Sequence, residues 1–225
     1  MNNNTKMSGY HGNPELKSAL KRELSRHRRA DMIRQGTYGG GEGKEWKGCA
    51  VACSLRSLYI VEGKAPPFTT TYNDHRGLAS RLGIPLQLAY LEDRIFESLS
   101  PSESIGWPSR FADAIPVGAD LSLVWPKFAH WMLVDKKLGV ICHATNDHQR
   151  NAINGVAILF ARQIAGGVVS LSEWSSARAY AAAAAYAAAA AAYATADAYI
   201  DAAAARTNQW RTMASKLLRL MREAS

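Results

Sequence analysis

Asn13-Pro14-Glu15-Leu16-Lys17-Ser18-Ala19-Leu20-Lys21-Arg22-Glu23-Leu24-Ser25-Arg26-His27 is the stretch on which the fold turns. Asparagine followed by proline reads as an N-cap and first helical residue, because the missing proline N–H has no intrahelical partner to lose there. No helix breaker follows before Gly36, so the pattern predicts a helix over 14–35. Leu16, Ala19, Leu20, Leu24 and His27 recur at i, i+3, i+4 spacing and mark its inward face. Lys17, Lys21, Arg22, Arg26, Arg28 and Arg29 crowd the rest of its surface.

The same period continues downstream. After a glycine-rich connection from Gly36 to Gly48, helices are expected over Cys49–Ile60, Arg76–Arg81 (ended by Gly83), and from Pro85 to Ser100-Pro101. Two more are expected near 108–114 and 120–134, the second kinked or restarted at Pro126. Leu138–His143 reads as a brief strand, and Asp147–Ala165 as a helix closed by Gly166-Gly167. Ser172 then caps an alanine segment with Glu173 in its first turn. These readings sum to a mainly α protein: about eight helices in one compact domain with a long Ala-rich C-terminal helix, and at most a minor β-hairpin. Residues 1–170 form the expected helical core. Residues 171–225 form an Ala/Tyr-rich helix and a short basic C-terminal helix, packed on the core or on a second copy.

Composition supports a folded chain of 225 residues, 48% hydrophobic and 20% charged. Between Ala177 and Ala205, however, 20 of 29 residues are alanine, so the large-hydrophobe core must come from upstream. The net charge of +8 is also uneven. Residues 1–48 hold ten basic and five acidic side chains and 206–225 hold five and one, whereas 49–205 hold 12 and 13. Ala179–Ala196 runs 18 residues without a charge, long enough to span a bilayer, yet alanine transfers weakly into lipid and Asp197 and Asp201 follow. No membrane span is expected. Met-Asn-Asn-Asn-Thr-Lys lacks a secretory apolar run, and three cysteines in a chain of this length fit reduced thiols in a cytosol.

The alanine segment has a seam. Tyr186, Tyr193, Ile200, Thr207, Ala214 and Met221 repeat every seven residues, and the position three later reads Ala189, Ala196, Ala203, Trp210, Leu217. Such a helix packs closely on its own domain or on a second copy, which makes homo-oligomerisation through it conceivable. Thr207-Asn208 is where a new basic helix would be capped.

Four constellations bear on chemistry. Cys49 and Cys53 share a helix face, and Cys142, His143 and His148 would complete a Cys₃His zinc site, but paired ligands from two loops are missing and buried thiols are the commoner reading. Cys49 at a helix start suits a nucleophile with His27 or His130 as base, since a helix N-terminus lowers a thiol pKa. Against this, His130 lies in a helical pattern and no glutamine precedes the cysteine in the manner of papain-like hydrolases. Gly39-Gly40-Gly41-Glu42-Gly43-Lys44 suggests a P-loop, but Tyr38 and Glu45 stand where glycine and Ser or Thr are required. A looser anion site remains, with Lys44, Trp46 and Lys47 beside glycine-rich backbone. Finally, the basic faces of helix 14–35 and of the C-terminus, with Arg211, Lys216, Arg219 and Arg222, suit phosphate.

Tyr10-His11-Gly12-Asn13-Pro14, Gly48-Cys49-Ala50-Val51-Ala52-Cys53, Leu91-Glu92-Asp93-Arg94-Ile95-Phe96, Ile115-Pro116-Val117-Gly118-Ala119-Asp120 and the Ala/Tyr tail together resemble a group of accessory proteins of tailed bacteriophages and prophages. The resemblance implies a phage protein made in a bacterial cytosol and transfers no catalytic residue. By analogy, phage proteins of this size include inhibitors of host defence.

The reading of the whole is a non-enzymatic binding protein. It would take an anionic nucleotide-type ligand, or block a nucleic-acid-bound host effector, through Tyr10, His11, Asn13, Lys44, Trp46 and Lys47, with Arg28 and Arg29 as additional charge. Tyr10 or Trp46 would stack on a base. No cofactor is expected. The alternatives are a cysteine-dependent enzyme built on Cys49 and an oligomerising structural protein.

Overall fold

A computed structural model describes residues 7–66, 74–180 and 201–225, except for the side chains of Lys44 and of 201–207. The fold is mainly α, with ten α-helices and no strand among the described residues. Isolated bridges at Ile33–Gly48 and Gly40–Lys47 are the only sheet-like pairings there. No described helix is long and apolar enough to cross a membrane.

Contacts divide the chain into two compact units, Met1–Ser122 with Trp210–Ser225, and Leu123–Gln209. The first contains α1 (Pro14–Arg29), α2 (Ala50–Val61), α3 (His75–Leu82), α4 (Leu86–Ser98), α5 (Pro101–Ser104) and α6 (Trp107–Ala114). The Asn13 side chain caps α1, its Oδ1 accepting from Glu15 N at 2.9 Å and Leu16 N at 3.1 Å. Leu20, Leu24 and His27 of the expected inward face are buried.

α1 ends at Arg29 rather than at 35. Asp31 takes a φ of 52°, which a right-handed helix cannot contain, and Met32–Arg34 leave to bond with Gly48 instead. Arg34 N donates to Gly48 O, and Gly48 N donates to Met32 O, both at 2.8 Å. The chain from Gly36 to Gly48 is thus a loop closed at its base. α2 leaves that closure buried over Ala50–Leu55 and again at Ser57 and Leu58. It packs against α1, α3, α4 and α6 and forms the centre of the unit. Trp107, Phe111, Leu78, Leu82, Leu88 and Phe96 complete the core around it.

The second unit pairs α7 (Val124–Val134) with α8 (Asp147–Ile164). α7 begins at Val124, so Pro126 falls in its first turn, where no kink is needed. The expected strand at Leu138–His143 is instead a 3₁₀ turn over Val140–His143. A further helix, α9, covers residues 171–180. Its cap is Ser170, two residues before the expected Ser172. Ser170 Oγ accepts from Glu173 N at 3.2 Å while the Glu173 carboxylate accepts from Ser170 N at 2.9 Å, a reciprocal capping box.

α10 (Asp201–Arg222) runs straight through Thr207-Asn208, so no second helix is capped there. Ala214, Leu217 and Met221, the expected seam positions, are buried. Tyr186, Tyr193, Ala189 and Ala196 lie outside the described residues.

Gly83 ends α3 at φ 64°, and a Cβ there would stand 2.1 Å from Ser8 O. Asn13→Ala is therefore expected to cost about 1 kcal/mol by urea denaturation, the ordinary worth of an N-cap. Gly83→Ala should cost more, since it adds backbone strain and a clash. Equal midpoints for the two variants would contradict the geometry.

Candidate functional site

The exposed face of α1 carries Ser18, Arg22, Ser25 and Arg29 at i, i+4, i+7 and i+11, one stripe along the helix. With Lys21 these line a hollow of about 530 Å³ that holds no carboxylate among its lining residues. Ser18 and Arg22 also line a second hollow of about 840 Å³, bounded by His11, Asn13 and Arg81 and also by the carboxylates Glu15 and Glu62. Arg22 therefore stands where the two meet. Arg22 and Arg29 are about 10.5 Å apart along the axis, at 1.5 Å per residue.

Ion pairing separates these cations. Lys21 Nζ meets Asp113 at 2.5 Å, Arg26 meets Glu23 at 2.7 Å, and Arg81 is paired with Glu62. The Arg81 guanidinium holds the Glu62 carboxyl below its ordinary pKa. The side chains of Arg22, Arg28 and Arg29 form no hydrogen bond or ion pair among the described residues. An exposed arginine without a carboxylate keeps all its donors for an incoming oxyanion.

The expected binding residues do not converge. Tyr10 is fully buried, and its hydroxyl donates to Ala112 O at 2.6 Å, so its ring offers no face to a base. Burial holds that phenol far above its ordinary pKa. His11 borders the larger hollow, its Nε2–H donating to Ser80 O at 2.8 Å, and Asn13 borders it as the cap of α1. Trp46 is buried beneath Arg56, whose guanidinium lies 4.6 Å from the ring centroid, and it lines a different hollow. Lys47 is occupied, donating to both the carbonyl and, at 2.9 Å, the carboxylate of Asp31. Lys44 belongs to the short 3₁₀ turn Gly43–Glu45, and its side chain lies outside the described residues. Of the named set, His11 and Asn13 share one hollow and Arg29 joins through Arg22.

The cysteine alternative meets a plain physical obstacle. Cys49 is 2% exposed, and burial pushes its thiol up to about 12 despite the N–H groups of Val51 and Ala52 at the start of α2. Burial also raises the Cys53 thiol well above its ordinary value. A thiol kept protonated is a poor nucleophile and a poor metal ligand. His27 is buried with Nδ1 3.3 Å from Ser57 Oγ, and burial lowers its pKa to about 4. His130 lies within α7, in the other unit. Cys142 is exposed, with Sγ 3.3 Å from Asp135 O, and belongs with His143 and His148 to the second unit. Among the described residues no three His, Cys, Asp or Glu side chains come together as metal ligands do.

Sequence reading missed Glu92. It is 1% exposed, with Oε1 accepting from Ser54 Oγ at 3.1 Å and Oε2 without a partner, and burial raises its carboxyl to about 8. Its signal was its place on the apolar stripe of α4, between Leu88-Ala89 and Ile95-Phe96. The Ser18–Arg29 stripe was likewise present in the helical spacing.

These features define a mainly helical protein with a basic face on α1 and the thiols of Cys49 and Cys53 buried. No family model matches the chain, and searches of curated proteins and of solved structures return no match.

Two measurements follow. Glu92 is protonated in the folded state up to about pH 8 but ionises near 4.5 when unfolded, so its contribution to stability is lost as pH rises across that window. His27, neutral in the fold down to about pH 4 but titrating near 6.5 unfolded, contributes stability that is lost as pH falls from 6.5 toward 4. The two oppose between about 4.5 and 6.5, so stability should be flat there and fall above 6.5 by up to about 1.4 kcal/mol per pH unit. Glu92→Gln should abolish the decline above 6.5 and leave, below it, the rise with pH that His27 alone imposes, and an unchanged decline in that variant would contradict the assignment. Separately, alkylation of the native protein at pH 8 should label Cys142 rapidly and leave Cys49 and Cys53 protected until unfolding. Rapid native labelling of Cys49 would restore the nucleophile reading.

Proposed function

We propose that this chain is a non-enzymatic binding protein whose partner is anionic, a nucleotide-type ligand or a nucleic-acid-bound effector, held along the exposed face of α1. The observation that carries the reading is the pair Arg22 and Arg29. Each lines a hollow on that face, and neither is neutralised by a carboxylate among the described residues. Ser18 stands beside them as a hydroxyl donor to phosphate oxygens, whereas Ser25 Oγ already donates to Lys21 O at 2.8 Å. His11 borders the larger hollow with its Nε2–H committed to Ser80 O.

The burial of Cys49 and Cys53 favours binding over nucleophilic catalysis. The buried rings of Tyr10 and Trp46 shift the expected contact from base stacking to phosphate. The resemblance of the quoted stretches to phage accessory proteins supports the further proposal of a phage product in the bacterial cytosol that counters a host defence. Self-association through the alanine segment belongs to the same proposal, and residues 181–200 that would carry it lie outside the described residues.

The reading is tested by thermal shift across linear nucleotides, cyclic nucleotides and a short oligonucleotide at low salt. At least one is expected to raise the melting temperature, as a ligand at a hundred times its Kd stabilises by about 2.7 kcal/mol. Arg22→Gln with Arg29→Gln should weaken that ligand at least tenfold without loss of helical signal. No shift across the panel, or full affinity in the double variant, would overturn the proposal.

A further inference from the structure

A smaller hollow of about 220 Å³ lies beneath the glycine loop, lined by Gly41, Glu42, Gly43, Trp46, Arg56, Ala65 and Pro66. Arg22 and Arg29 line no part of it. Arg56 projects from the otherwise buried middle of α2, where its neighbours Leu55 and Ser57 are both in the core. Its guanidinium is stacked on Trp46 with 4.6 Å between cation and ring centroid. An aromatic face attracts the charge but accepts none of the in-plane N–H bonds.

The Arg56 side chain makes no hydrogen bond or ion pair among the described residues, and its Nε is shut off from water with no acceptor there. A partly withdrawn guanidinium with unmet donors is costly unless an anion compensates it. The size of the hollow decides what kind. Small-molecule pockets begin near about 300 Å³, so this one is too small for a nucleotide and suits a single charged group. A carboxylate or phosphoryl group matches the planar fork of a guanidinium with two oxygens.

We propose that Arg56, stacked on Trp46, is the anchor of a small-oxyanion site beneath the glycine loop, separate from the face of α1. The group seated there is a carboxylate or a phosphoryl group, free or borne by a larger molecule that remains outside. Glu42 is the one carboxylate among the described residues that line the hollow, and it opposes any anion entering it. It sets the affinity by charge repulsion and is exposed, so its removal leaves the core intact.

The test follows the Trp46 indole N–H resonance of the full chain during titration with sodium phosphate and, separately, sodium acetate at constant ionic strength. A saturable shift is expected in at least one series, and the tighter series identifies the group. Glu42→Gln should tighten it severalfold. Arg56→Lys should weaken it at least tenfold, while Arg22→Gln with Arg29→Gln leaves it within twofold. Loss in the Arg22–Arg29 variant would assign the anion to the α1 face and overturn this site. So would the absence of a saturable shift in both series, unchanged or weaker binding in Glu42→Gln, or undiminished binding in a folded Arg56→Lys protein.

Discussion

The burial of α2 on nearly all sides is the constraint from which the rest of the first unit follows. A helix whose residues from Ala50 to Leu55, and again Ser57 and Leu58, are enclosed must be surrounded, and α1, α3, α4 and α6 do so. Each large side chain withdrawn from water around it is worth about 1.5–3 kcal/mol. The same enclosure dictates the state of every polar group that α2 meets. Ser54 and Ser57 reach Glu92 and His27 because hydroxyls in an apolar interior need partners, and both ionisable groups are pushed toward their neutral forms. The thiols of Cys49 and Cys53 are silenced by the same desolvation. The ionisable groups that meet α2 are thereby held in their neutral forms.

Because α1 gives its inner stripe to α2, its remaining basic residues have nowhere to go but outward. Carboxylates engage Lys21 and Arg26, and Lys17 Nζ donates to the carbonyls of Asp113 and Ile115. Arg22 and Arg29 are left over on a common line. The C-terminal charge joins this unit as well, since Trp210–Ser225 belongs to it and Arg222 bears on Lys17 and Asp113. Two clusters at opposite ends of the sequence are thus placed on one body. The chain as a whole is modestly basic, but this unit concentrates the excess.

Local rules carried far in reading the sequence, and they stopped where tertiary contacts decide. The Asn13 cap, the α1 stripe, the Gly83 stop and the burial of Ala214, Leu217 and Met221 follow from spacing and capping chemistry alone. The end of α1 does not, because Asp31 adopts a left-handed turn so that Arg34 can reach Gly48, a partner chosen 14 residues away. Tyr10 is similar. In a short polar stretch it reads as exposed, but left-handed conformations at Tyr10 and His11 turn its ring inward to Ala112. Lys47 was legible as a charge near a glycine loop but not as the partner of Asp31. Glu92 and Arg56 share one lesson: a charged residue on the apolar period of a helix marks either a neutralised group or a site.

In the proposed function, anions are held by the α1 arginines whose side chains lack a carboxylate partner among the described residues, while Cys49, Cys53 and Glu92 take no part. Amide chemical-shift mapping during titration with a nucleoside triphosphate tests it most directly. Shifts concentrated on Ser18, Arg22, Ser25 and Arg29, with those of Cys49, Cys53 and Glu92 unmoved, are the predicted result. Shifts centred on Cys49 and His27, or confined to Leu123–Gln209, would contradict the account.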